Sequence, residues 1–132
     1  MKKKKLKDLI RKDISERLKN LNKTERRKKS LRIKEKLFRS CEFKRAKTVM
    51  FFVSREDEVD TQNMIRQAIR MGKKVGVPLI REGKKELLIS QIIDIDKELV
   101  KGPYSIYQPD KNFIRVIKQE DLNLIIVPGL AF

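Results

Sequence analysis

Apolar residues along this chain follow two patterns, and the change between them divides it. Over the first forty residues they recur at steps of three and four: Leu6, Leu9, Ile10, Ile14, Leu18 and Leu21. That spacing predicts a long amphipathic helix with a basic outer face. Asn22-Lys23-Thr24-Glu25 follows, an asparagine with a glutamate three residues on, which is the arrangement of a capping box. The helix it opens carries Leu31, Leu37, Phe38 and Cys41 on one side, with Lys34 contributing its aliphatic stem. From Ala46 the pattern shortens into runs. "AKTVMFFVS", Ala46 to Ser54, reads as a buried strand, "KKVGVPLI", residues 73–80, as a second, and "ELLIS", residues 86–90, as a third. Pro78 marks an end or an edge in the second, because proline cannot donate to a ladder. "DLNLIIVPG" is the last strand; its apolar run from Leu124 to Val127 is the pattern of a strand buried on both faces.

Between the first two strands, Asp60 or Thr61 can cap a helix whose Met64, Ile65, Ala68, Ile69 and Met71 face inward. Gly72 stops it in the position just past the last turn. "EGKK", residues 82–85, reads as a turn, and "GPYSIYQPD", residues 102–110, as a loop. Strand, helix and strand in that order predict an α/β sheet with helices on its faces. The N-terminal helical pair precedes the sheet and is expected to lie across it. No repeat and no linker interrupts the chain, so residues 1–132 read as one domain.

Composition narrows the chemistry. A chain of 132 residues is long enough for a real core. With no histidine and the single Cys41, the usual transition-metal ligand sets are missing, as is any Ser-His-Asp or Cys-His mechanism. Cys41 itself reads as a buried small residue rather than a nucleophile. No apolar stretch approaches the roughly 18–20 residues that span a bilayer, and the basic N-terminus lacks the apolar core of a signal peptide. The expectation is a cytoplasmic protein without membrane contact. The net charge of +16 sets up a field that attracts anions. A nucleic acid, a small anionic ligand and a simply solvated lysine-rich surface all agree with it. Aromatic residues, at 6%, are too few for base stacking, and no RNA- or DNA-binding motif accompanies the charge.

In open α/β sheets, ligands bind beyond the carboxyl ends of the strands. Three stretches fall there: "REDEVDT", "GPYSIYQPD" and "VPGLAF". The first gathers Glu56, Asp57, Glu58 and Asp60 in an otherwise basic protein. A helix dipole accounts for Asp60 but does not require Glu58. A carboxylate in a cleft can accept hydrogen bonds from the amide- or guanidine-like edge of a ligand. Lys7 and Arg11, at i and i+4, share one helix face and can grip a phosphate, or else are a solvated pair. There is no P-loop and no dinucleotide fingerprint. Only three residues follow Pro128-Gly129, so the chain ends where such a protein begins to build its site.

The ordered set Lys7-x-x-Ile10-Arg11, Ala46-Lys47-Thr48-Val49, Glu58-Val59-Asp60-Thr61, Gly72-Lys73-Lys74-Val75 with Val77-Pro78, Tyr104-Ser105-Ile106-Tyr107-Gln108-Pro109 and Val127-Pro128-Gly129-Leu130-Ala131-Phe132 resembles the 5-formyltetrahydrofolate cyclo-ligase family. These enzymes are also called methenyltetrahydrofolate synthetases. The resemblance implies a three-layer α/β fold and a ligase with ATP and a folate as its small-molecule partners. In that reaction ATP phosphorylates the N5-formyl oxygen, N10 attacks the activated carbon, and phosphate leaves as the methenyl ring closes. Mg²⁺ neutralises phosphate charge. By the same resemblance Lys7 and Arg11 contact ATP, Val53 and Glu58 contact the folate, and Tyr104 walls the folate pocket; no catalytic or metal-ligating residue is assigned. The family continues with an aspartate and a glycine-rich R-L-G-x-G-x-G-Y-Y-D segment that cradles phosphate. The expectation is therefore the N-terminal portion of a cyclo-ligase-like domain, inactive alone. The alternative is a non-catalytic basic module that binds RNA or another polyanion.

Overall fold

The computed structural model describes residues 1–81 and 83–131. Glu82, which opens the turn expected at 82–85, and Phe132, which closes the last motif, lie outside the described residues. Two helices come first, α1 (Lys2–Asn20) and α2 (Lys23–Arg39), then a short α3 (Cys41–Arg45). β1 (Thr48–Met50), α4 (Thr61–Arg70), β2 (Lys74–Ile80) and β3 (Leu87–Ile92) follow. A single turn, α5 (Ile95–Glu98), leads into a small ribbon of β4 (Leu99–Lys101) and β5 (Tyr107–Pro109), and β6 (Leu124–Ile125) comes last. The main sheet has the order β3-β2-β1-β6, with β1 parallel to β2 and β6, and β2 antiparallel to β3. The sheet is flanked by helices, so the α/β class read from the sequence is the class observed.

The period of two along the strands sorts side chains to two faces. Val49, Phe51, Val53, Val75 and Val77 meet Met64, Ile65 and Ala68 of α4, with Phe43 of α3 beneath them. Leu37 and Phe38 of α2 close this layer, Phe38 stacking on Phe43 with ring centroids 4.2 Å apart. The opposite face carries Met50, Phe52, Pro78 and Ile80 and is covered in part by Ile117. That residue arrives on a segment which bonds the free edge of β3, Gln91 N–H to the Arg115 carbonyl at 2.7 Å and Ile117 N–H to the Ile89 carbonyl at 2.8 Å. The edge is thereby protected from pairing elsewhere.

Local signals hold where a side chain caps a helix. Asn22 Oδ1 accepts the Glu25 N–H at 2.8 Å, and Asp60 accepts the Asn63 N–H at 3.3 Å. Gly72 takes φ +86° after α4, as a helix terminator does.

Several expectations are corrected. Helix α1 does not lie across the sheet: none of its residues is buried, and Leu6, Leu9 and Ile10 stay exposed. Cys41 is exposed, because Ser40 ends α2 and caps α3 in the same place, and the turn hands the interior position to Phe43. Met71 is exposed as the terminal residue of α4. The first strand pairs only over Thr48–Met50, since the backbone of Phe52 and Ser54 bonds the Thr61 hydroxyl instead of a neighbouring strand. Pro78 sits inside β2, at neither an end nor an edge. Its imide nitrogen faces the side on which Lys74 and Gly76 bond the β1 segment, and that pairing has already ended. The last strand pairs over two residues only, and Ile125 and Val127 are exposed rather than buried on both faces. The stretch at 102–110, expected as a loop, contains β5 and a 3₁₀ turn.

Candidate substrate-binding site

Beyond β1 the chain turns sharply. Thr61 and Ser54, both buried, exchange bonds: Ser54 N–H to Thr61 Oγ1 at 2.9 Å and Thr61 N–H to Ser54 Oγ at 3.1 Å. The Thr61 hydroxyl also donates to the Phe52 carbonyl at 2.6 Å. This pair pinches the base of a loop, residues 55–60, and presents its tip at the carboxyl end of the sheet. Within the loop, Glu58 Oε1 accepts the Arg55 N–H at 3.0 Å, and the Glu58 N–H donates to the Arg55 carbonyl at 3.2 Å. Glu58 is half-buried.

The loop is a partition between two hollows. On one side is an apolar cavity of about 1020 Å³ on the sheet's second face, floored by Met50, Phe52, Pro78, Ile89 and Ile117 and walled by Ile106, Ile126 and Val127. Val53 lines it too, and among the described residues its charged groups are Arg55, Asp57 and Glu58 alone. On the other side is a polar hollow of about 950 Å³, where Lys23, Arg26, Arg27 and Lys34 of α2 and Arg66 of α4 face the same Arg55 and Glu58. An apolar slot with a carboxylate at its mouth suits a flat heteroaromatic ring with an N–H edge. The neighbouring cations suit an anionic extension of the same molecule.

All three stretches singled out beyond the strands contribute to the apolar cavity: Arg55, Asp57 and Glu58 from the first, Ile106 from the second, Val127 and Pro128 from the third. Val53 and Glu58 are thus brought together. Tyr104 is not among the lining residues; it is 79% exposed, and with Ser105 it adopts φ +59°, a left-handed conformation that is strained for both. Its carbonyl accepts from Arg55 Nη2 at 3.3 Å. Lys7 and Arg11 line neither hollow; both are exposed on α1, and Arg11 lies 3.6 Å from Asp8. Among the described residues no group of three or more Asp, Glu, Cys or His is placed to hold a cation.

Gln108, quoted above only as part of a motif, has a structural role that sequence reasoning missed. Its side-chain amide acts as a further strand for β2, accepting the Ile80 N–H at 3.0 Å and donating to the Ile80 carbonyl at 3.2 Å. This ties the β4–β5 ribbon to the cavity wall. Gly102 makes room for it, because a Cβ there would meet Gln108 Cδ at 2.6 Å.

The family model of the 5-formyltetrahydrofolate cyclo-ligases matches residues 3–132. The 5-formyltetrahydrofolate cyclo-ligase of Mus musculus is 26% identical over 127 residues, 93% of this chain and 63% of its own length. A probable 5-formyltetrahydrofolate cyclo-ligase of Caenorhabditis elegans is 27% identical over 133 residues, 98% of this chain and 65% of its own. The solution structure of Aquifex aeolicus 5,10-methenyltetrahydrofolate synthetase superposes with a TM-score of 0.79 at 26% identity, covering 96% of this chain and 62% of that one. The chain therefore spans a little under two thirds of the length of these relatives. With its α/β sheet, its carboxylate-rimmed cavity and a family match over nearly every residue, this chain belongs to the 5-formyltetrahydrofolate cyclo-ligase family.

Proposed function

We propose that this chain forms the folate-binding part of an ATP-dependent 5-formyltetrahydrofolate cyclo-ligase. The observation that carries the reading is Glu58 at the mouth of the apolar cavity, on a loop closed at its base by Ser54 and Thr61. The pterin enters the cavity against Val53, and the Glu58 carboxylate accepts hydrogen bonds from its polar edge. The charged glutamate end of the folate extends toward the cations of the adjacent hollow. Lys7 and Arg11 of α1 are the ATP contacts, as a point charge and a fork on one helix face.

The chemistry is a phosphoryl transfer followed by ring closure. The formyl oxygen on N5 attacks the terminal phosphorus of ATP, and ADP leaves. The N10 lone pair then forms a bond to the formyl carbon. The carbon–oxygen bond breaks, phosphate departs with that oxygen, and the N10 proton passes to solvent. The residues described here bind and orient; a Mg²⁺ ion would supply charge neutralisation for the nucleotide's phosphates, and among the described residues no carboxylate cluster is placed to hold it.

The test is the absorbance of 5,10-methenyltetrahydrofolate formed by the full-length protein from the 5-formyl compound, ATP and Mg²⁺. Absence of ATP-dependent product from a folded protein would overturn the reading. The competing polyanion module is separated by salt: several phosphate contacts lose orders of magnitude in affinity between 50 and 200 mM salt, and a folate cavity loses far less.

A further inference from the structure

We infer that Arg26 and Ser30, one turn apart on α2, are positioning residues that brace the substrate loop on both sides of Glu58 and tie it to α1. Arg26 Nη1 donates to the Glu56 carbonyl at 2.8 Å, two residues before Glu58. Ser30 Oγ accepts the Asp60 N–H at 3.0 Å, two residues after it. Both contacts come from one helix face, as positions i and i+4 allow. The loop is thus held from outside at its two flanks, and from within by the Arg55–Glu58 bonds.

Arg26 does a second thing. Its Nη2 donates to the Leu18 carbonyl at 2.9 Å, near the carboxyl end of α1. One rigid, planar guanidinium therefore spans the helix that carries Lys7 and Arg11 and the loop that carries Glu58. Its Nε is buried without a partner, a cost the folded state carries. Ser30 is the one fully buried residue of this basic helix, whose Leu37 and Phe38 are half-buried against the core. A hydroxyl placed there supplies an acceptor for a loop N–H that β-ladder and helix leave unused. The Ser30 hydroxyl bonds the loop, whereas Arg26 bonds both loop and α1, and that asymmetry gives the two residues different signatures.

The inference rests on the assignment of Glu58 to the folate and of α1 to ATP. It is tested in the full-length protein with S30A, R26M and R26K, by KM for each substrate and by hydrogen exchange of the amides of residues 55–60. S30A is expected to raise the KM for 5-formyltetrahydrofolate about fivefold, the value of one ordinary hydrogen bond, with the KM for ATP within twofold. R26M is expected to raise both, and R26K, which keeps the charge but gathers its donors on one atom in place of the planar fork, to recover both only in part. Equal changes in both KM values for S30A, following a fall in melting temperature, would reduce Ser30 to a packing role and overturn the inference. A wild-type protein without turnover would sink the assigned activity but leave the brace open to the exchange measurement. There, faster exchange at Asp60 and its loop neighbours in S30A, with α4 unchanged, supports the brace, and unchanged exchange overturns it.

Discussion

Glu98 is the charged side chain on which the walls of the cavity depend, and replacing it is the sharpest test of the fold. It is 3% exposed. Its carboxylate accepts the Asp94 N–H at 2.7 Å, the Ile93 N–H at 3.3 Å and Arg115 Nη1 at 2.5 Å. Its carbonyl accepts the Asp110 N–H at 2.7 Å, which fastens the far end of the β4–β5 ribbon. Glu98→Ala strands the two backbone donors that its buried carboxylate accepts, at about 1–3 kcal/mol each. Arg115 is 36% exposed and can turn to solvent, so its share is discounted to the surface range of about 0–1 kcal/mol. The sum is a loss of about 2–7 kcal/mol. Glu98→Gln keeps one acceptor oxygen but brings an NH₂ against a donor, and is expected to cost about half as much. Asp96→Ala breaks the Arg66 pair, 2.7 Å long but exposed, and serves as a control within about 1 kcal/mol. Urea unfolding followed by circular dichroism gives each value from the midpoint at constant slope. A Glu98→Ala protein within 1 kcal/mol of wild type, or no less stable than Glu98→Gln, would refute the assignment of the carboxylate as the joint of this region.

Glu58→Gln keeps the shape and loses the charge, so 5-formyltetrahydrofolate affinity is expected to fall about tenfold with ATP affinity nearly intact; titration calorimetry with each ligand checks this, and equal losses would move Glu58 out of the folate site. Arg11→Ala is expected to raise the KM for ATP about tenfold and more than that for folate, and an unchanged KM for ATP would leave Arg11 a solvated partner of Asp8. Gly76→Ala places a Cβ 2.7 Å from Ile89 Cγ2 and 3.0 Å from Ile117 Cδ1, and is expected to destabilise the second face of the sheet by about 1–3 kcal/mol in the same urea assay. A wild-type midpoint for that variant would show that Ile117 is free to move aside.

What the residue string made legible follows from how local each determinant is. Helices α2 and α4 were readable because Asn22 and Asp60 cap them through bonds three residues long, and because Gly72 supplies a left-handed stop. The first and last strands were placed correctly but drawn too long, whereas β3 runs two residues past its expected end. An apolar run records burial, whereas a ladder needs a neighbour of the same length, and Thr61 diverts the backbone of Phe52 and Ser54 away from any neighbour. The β4–β5 ribbon was missed because "GPYSIYQPD" is dense in turn formers, and its pairing with Leu99–Lys101 carries no periodic signal over three residues. Cys41 was misplaced by extending the α2 periodicity across Ser40, where the chain changes direction.

For the site the division is by distance along the chain. Glu58 could be placed beyond the sheet because a β-run, a carboxylate and a helix cap follow one another within a dozen residues; Val53 was singled out by the family resemblance alone, and both line the cavity. Arg26 and Ser30 lie about thirty residues upstream of what they hold. In a helix of many cations no arginine announces which backbone carbonyl it will meet, and a serine in such a helix reads as a weak helix former rather than an acceptor. Yet the contact could not be made by its neighbours. A lysine would present its donors from one atom rather than from the two Nη groups that meet Leu18 and Glu56, and an aliphatic residue at position 30 would leave the Asp60 N–H without an acceptor. The basic composition, which by itself says only that anions are attracted, thus conceals one cation whose bonds are geometric: Arg26 joins the carboxyl end of α1 to the loop that carries Glu58, the two elements proposed above for nucleotide and folate.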